Sequence, residues 1–100
     1  MENKISKEKL IEVYHVEIQF FDELEEYGLL SVFSENNTQY ILYDQLPVFE
    51  RFANWYYDLQ VNMAGIEVLH NLMDKLATLQ TENQVLKHQL YLKSHHLDVD

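Results

Sequence analysis

Apolar residues recur along the chain at helical, alternating and heptad spacings, and each spacing predicts an element. Leu10, Val13 and Tyr14 share a helical face, and Ser6 is suited to cap the N-terminus in front of them. The pattern therefore predicts a first helix from Lys7 to about Tyr14. After a turn near His15 and Val16, Phe20, Phe21 and Leu24 mark the inner face of a second helix, from about Glu17 to Tyr27. Gly28 stands where a left-handed residue closes such a helix. Two β-rich runs, Leu30–Phe33 and Gln39–Tyr43, flank Glu35-Asn36-Asn37-Thr38. Asparagine tolerates positive φ, so this reads as a short hairpin with Ser34 at its edge. Asp44 is expected to cap a third helix, with Pro47 inside its first turn, where a missing N–H does little harm. Leu46, Phe49, Phe52, Ala53 and Tyr56 carry that helix to about Asp58, and a short turn follows to Asn62. A last helix is predicted from about Met63 to Lys93, and the patternless Ser94–Asp100 is expected to fray.

The last helix has the sharpest periodicity. Leu69, Leu72, Leu76, Leu79, Asn83, Leu86 and Leu90 are spaced 3, 4, 3, 4, 3, 4, a heptad seam that starts with Leu69 at position a. Asn83 then falls at an a position, where a buried asparagine pairs with its mate across a dimer and fixes register at some loss of stability. Glu82 at g and Lys87 at e are placed to pair between parallel helices. One reading makes Leu72, Leu76, Leu79, Asn83, Leu86 and Leu90 a homodimer interface; the other packs the stripe onto the protein's own first helices. A division of labour is also open, with residues 66–76 serving the core and 79–90 the partner. The chain accordingly divides into a helix-turn-helix region over 1–62, a long helix over 63–93 that completes the core and forms a dimer arm, and a tail over 94–100.

Composition narrows the function. The 100 residues contain no cysteine, 47% hydrophobic and 24% charged residues, two Gly and one Pro, a helix-rich globular composition. Without cysteine there is neither a disulfide framework nor a thiolate zinc site, which fits a cytoplasmic protein. The polar stretch from Met1 to Lys9 does not resemble a secretory leader, and the apolar runs are far shorter than a membrane span requires. A chain of this size buries roughly 60–68% of its unfolded surface, so a dimer interface would add useful stability. Seventeen acidic residues against seven basic ones leave a net charge of −10. Such a chain repels duplex phosphate and favours a basic protein surface.

The order helix, helix, hairpin, helix, long helix is that of a winged helix-turn-helix, and particular residues sharpen it. Phe21-Asp22-Glu23-Leu24-Glu25-Glu26-Tyr27-Gly28-Leu29-Leu30, followed by Gln39-Tyr40-Ile41-Leu42-Tyr43-Asp44, resembles the helix-turn-helix and wing of MerR-type regulators. Those regulators carry two arginines where this chain has Asp22 and Glu26, and a wing arginine where it has Ile41. Between Ile5 and Leu46 there are two basic residues, Lys7 and Lys9, against nine acidic ones. The phosphate-contacting charges are absent or reversed in sign.

A second resemblance, over roughly Ile5 to Lys93, is to the chaperone-modulator (CbpM) family. It rests on Ala64-Gly65-Ile66, Leu72-Met73-Asp74, Leu79, Glu82-Asn83 and Leu86 in the last helix, with Ser6, Gly28 and Tyr43-Asp44 supporting it more loosely. The resemblance implies a mostly α MerR-like winged helix-turn-helix with a small β-hairpin wing and a long C-terminal helix. It also implies a dimer that binds the J domain of a DnaJ-like co-chaperone, resembling the curved-DNA-binding protein, and keeps that domain from engaging DnaK. The J domain meets DnaK through a basic helix, which an acidic surface complements. Asp22, Glu23, Glu25 and Glu26 supply such a surface, unless they form only a solvated face. Tyr27, Trp55 and Tyr57 are candidate aromatic anchors, unless they belong to the core. The alternative function is a MerR-like transcriptional regulator that binds DNA.

Other chemistry carries little. His70 and Asp74 lie one helical turn apart at b and f, positions expected to be exposed, with no third metal ligand beside them; His95-His96 reads as a polar tail. Asn36-Asn37-Thr38 matches a glycosylation sequon but reads as the wing tip. No phosphate-binding glycine loop, His-Glu zinc motif or nucleophile elbow is present, so no enzyme activity, metal or cofactor is expected.

Overall fold

The computed structural model describes the backbone of residues 3–99 and the side chains of residues 3–94. The elements run β1 (Lys4–Ser6), α1 (Lys7–Tyr14), α2 (Ile18–Glu26), β2 (Phe33–Glu35), β3 (Thr38–Leu42), α3 (Leu46–Ala53) and α4 (Met63–Val99). A 3-10 turn over Tyr43–Gln45 precedes α3 and a π-helical turn over Asn54–Asp58 follows it. The fold is a mostly helical winged helix-turn-helix with a small antiparallel sheet and a long C-terminal helix. Among the described residues, no helix is long and apolar enough to cross a membrane.

The chain forms two units, Met1–Glu67 and Val68–Asp100. The first is built around Leu10, Phe20, Phe21, Leu24, Ile41, Phe49, Phe52 and Ile66, all essentially excluded from solvent. Each such side chain contributes about 1.5–3 kcal/mol relative to exposure. Phe49 meets Tyr14 and Phe20 edge to face, with ring centroids 5.3 and 5.8 Å apart. This is the favourable quadrupolar arrangement of aromatic pairs.

Local signals set most boundaries. The Ser6 hydroxyl accepts from Lys9 N–H at 3.1 Å and starts α1 as expected. On that helix Leu10 is buried and Tyr14 half-buried, but Val13 is exposed and Ile11 takes its place against the core. The second helix buries Phe20, Phe21 and Leu24 and ends at Gly28, whose φ of 72° is the left-handed value that closes it. At the hairpin, Asn36 and Asn37 both have positive φ, 52° and 66°. This is the two-residue turn whose twist matches paired strands.

Other boundaries differ from expectation for non-local reasons. The wing is a three-stranded sheet, ordered β1-β3-β2, because Lys4–Ser6 pairs with β3 and sets Ile5 opposite Ile41. The strand expected over Leu30–Phe33 is displaced to Phe33–Glu35, since the two-residue turn sets Glu35 opposite Thr38. Upstream, the Gln45 side chain satisfies both backbone groups of Ser31: its oxygen accepts from the Ser31 N–H and its amide donates to the Ser31 carbonyl, each at 2.8 Å. With those groups satisfied, residues around Ser31 need no strand partner.

Asp44 sits within the 3-10 turn and does not cap α3; Gln45 holds that position and makes no side-chain cap. The third helix ends at Ala53, not near Asp58, and the chain winds on through the π turn, where Leu59 N–H donates to Asn54 O. Asn62 then caps α4, its side-chain oxygen accepting from Gly65 N–H at 2.8 Å. A Cβ at Gly65 would come within 2.8 Å of the Val61 side chain, so a larger residue there would force Val61 to shift. The fourth helix stays helical to Val99, past the tail expected to fray from Ser94; Asp100, and the side chains of His95 and His96, lie outside the described residues.

Candidate partner-binding surface

The second helix positions the acidic run. Its apolar side is fixed in the core by Phe20, Phe21 and Leu24, so Asp22, Glu25 and Glu26 face solvent, while Glu23 is half-buried. Tyr27, the C-cap residue, is partly exposed beside them. One of the charges is already used: Lys7 Nζ donates to Asp22 at 2.6 Å, reaches Gln39 at 3.3 Å and lies over the Phe21 ring. The sequence carries no signal for this contact, because it joins residues fifteen apart across two helices.

The aromatic candidates do not join Tyr27. The Tyr57 hydroxyl accepts from Glu17 N–H at 3.0 Å, at the opposite end of α2. The nine residues between span about 14 Å at 1.5 Å per residue. Its ring packs against Phe20 and Tyr56, and burial pushes its phenol pKa up, against the lowering effect of the Glu17 hydrogen bond. Trp55 is half-buried against the core, tilted on Phe52, with the Arg51 guanidinium 6.0 Å from its ring. The expected single surface is therefore an acidic face at one end of α2, with Tyr57 at the other.

Each cation of the compact unit lies near a carboxylate or a ring of that same unit, Lys9 while still exposed. Lys4 pairs with Glu35 and lies over the Tyr40 ring, Lys7 is held by Asp22, Lys9 is 3.6 Å from Glu12, and Arg51 covers Trp55. Within residues 1–67 these four are all the lysines and arginines, against thirteen acidic residues. The exposed side of α2 carries no basic residue at all.

In the second unit, Leu72, Leu76, Leu79, Leu86 and Leu90 are each more than half exposed and Asn83 is exposed with them. The core thus takes Met63 and Ile66 from α4 but not the residues to position 76 that the spacing had allowed. Val85, Tyr91 and Leu92 are exposed off the seam, so the apolar surface is broader than the heptad stripe. His70 is mostly covered and lies 3.6 Å from the exposed Asp74, which corrects the expectation that both are exposed.

The family model for MerR HTH family regulatory proteins matches residues 5–88, from β1 through most of the long helix. The chain belongs to that family. The match takes in the acidic α2, the wing and most of the exposed leucine seam together, so these are parts of one family domain. No curated protein and no solved structure matches the chain.

Proposed function

We propose that this MerR-family chain is a chaperone modulator that binds the J domain of a DnaJ-like co-chaperone and blocks its engagement of DnaK. The observation that carries this reading is the outer face of α2, where Glu25 and Glu26 are exposed and Asp22 is paired with Lys7, in a unit whose four cations each lie against a carboxylate or a ring of the same unit. A winged helix that binds DNA presents cations to phosphate along that helix and wing. Here the same positions favour a basic protein helix by charge complementarity, which speeds encounter and selects the partner. In this reading the exposed leucines of α4 join two copies into a cytoplasmic homodimer through Leu72, Leu76, Leu79, Asn83, Leu86 and Leu90.

Calorimetric titration against an isolated J domain, at low and physiological salt, tests the proposal. Saturable binding that weakens with salt is expected. Glu23→Lys with Glu26→Lys should lower affinity about tenfold, as two rim pairs worth up to about 1 kcal/mol each would, and should flatten the salt dependence. Unchanged affinity would remove this face from the interface. The family itself favours DNA as the second reading, and retardation of duplex DNA at physiological salt, lost as salt rises, would replace the first.

A further inference from the structure

A cleft of about 400 Å³ opens where the turn after α1 meets the end of α3. One wall is Tyr14 and His15, and the other is Glu50, Ala53, Tyr57 and Asp58. Those on the second wall stand at positions i, i+3, i+7 and i+8, one side of α3 and its π turn. Ala53 is the small residue of that wall and leaves room that a longer side chain would fill. His15 turns the chain out of α1 with a positive φ of 55°, which brings its wall opposite Glu50.

The polar groups here are held in place. The Tyr14 hydroxyl donates to Oε2 of Glu50, and the Tyr57 hydroxyl accepts from Glu17 N–H, so both rings are fixed as walls. A carboxylate offers about four acceptor sites, so one tyrosine leaves Glu50 able to accept more. The hydrogen bond to Glu50, then burial, keeps the Tyr14 phenol protonated, its pKa pushed up to about 12. Neither lysine nor arginine lines the cleft.

Two carboxylates and two tyrosines bordering one cleft, in a strongly acidic unit, suit a flat cation. A guanidinium stacks on aromatic faces and donates in a fork to carboxylates, which an ammonium does less well. Val13 and Ile18, the exposed apolar residues flanking this turn, give a rim that a protein partner would cover and a free small ligand would not.

We infer that this cleft receives an arginine side chain from a basic helix of the partner protein. The identity of that partner rests on the function proposed above; the chemistry of the cleft does not. The arginine would insert between Tyr14 and Tyr57 with its fork toward Glu50 and Asp58, while the acidic end of α2 meets other cations of the same helix.

The test uses the isotope-labelled 100-residue chain and two probes, a basic amphipathic helical peptide containing arginines and its all-lysine counterpart. Amide shifts at residues 14–16 and 53–58 should move with the arginine peptide, and the lysine peptide should bind several-fold more weakly. Glu50→Gln with Asp58→Asn keeps an acceptor for Tyr14 but removes both charges, and should weaken binding about tenfold, the loss of one to two charge-assisted contacts. Ala53→Leu fills the cleft from that wall without changing charge and should block it; if it fails to fold, the charge variant decides. Shifts confined to other residues, or unchanged affinity in the folded variants, overturn the inference. A protein that takes the arginine peptide at the cleft but ignores a J domain loses the modulator reading and keeps the cleft. A J domain bound equally well by wild type and both variants does the reverse.

Discussion

In residues 1–67, Phe20, Phe21, Phe49 and Phe52 are shut away from solvent, whereas from Val68 to Leu92 the exposed leucines include Leu72, Leu76, Leu79, Leu86, Leu90 and Leu92. The first region buries its own apolar side chains among three helices, the first turn of α4 and a sheet, so its stability is written into one chain. The second keeps a comparable supply of apolar residues on a single helix, where propensity alone leaves stability marginal. Charge divides the same way: thirteen of the seventeen acidic residues lie in the first region, and the remaining four are nearly balanced by three lysines in the second. One region thus presents a strongly acidic surface and the other an exposed apolar one. In the proposed function the first region would recognise the partner and the second would join two copies.

The largest effect that would sharpen this contrast is Phe49→Ala. Removing a fully buried ring that touches Tyr14 and Phe20 should cost about 3–5 kcal/mol, a large part of what a small domain has. Denaturant unfolding should show the loss, and a small effect would mean the core repacks around the gap. Next comes Leu79→Lys, which places a charge in the exposed seam and should give a folded or partly unfolded monomer. Light scattering should show wild type as a dimer and this variant as a 12.0 kDa monomer. Wild type that already runs as a monomer would break the comparison, since the helix would then need no second surface.

The smallest effect is titratable. The hydrogen bond to Glu50, then burial and the Glu50 charge, raise the Tyr14 phenol from 10.0 to about 12. The folded protein therefore holds this proton more tightly than the unfolded chain does. Its contribution to stability is complete below pH 10 and is lost as pH rises toward about 12. Tyr14→Phe should flatten that part of the alkaline stability profile, with Tyr57, also raised by burial, retaining a weaker slope. An unchanged profile would mean that the Tyr14–Glu50 contact does not persist in solution.

Legibility followed the range of the interactions. Ser6, Gly28 and the Asn36-Asn37 pair act on backbone groups within a few residues, and each marked its boundary as read. The buried stripe of α2 was legible because Phe20, Phe21 and Leu24 share one helical face. Lys4–Ser6 is too short to announce a strand and is one only because β3 lies beside it. Asp44 looked like the cap of α3, but Gln45 reaching Ser31 and the intervening 3-10 turn decided that junction. The acidic residues of the candidate surface were legible by composition. The withdrawal of Asp22 by Lys7, and the separation of Tyr57 from Tyr27 along α2, were not.

By itself the sequence determined the helix faces, the two-asparagine turn, the acid excess and the heptad spacing, because each depends on residue type and on neighbours along the chain. Only the tertiary structure decided which acids keep a free face, where the compact core stops along α4, and that Tyr14, Glu50, Tyr57 and Asp58 border one cleft. Those outcomes depend on which distant segments meet, and a contact between segments far apart in the chain leaves no periodic mark on either of them.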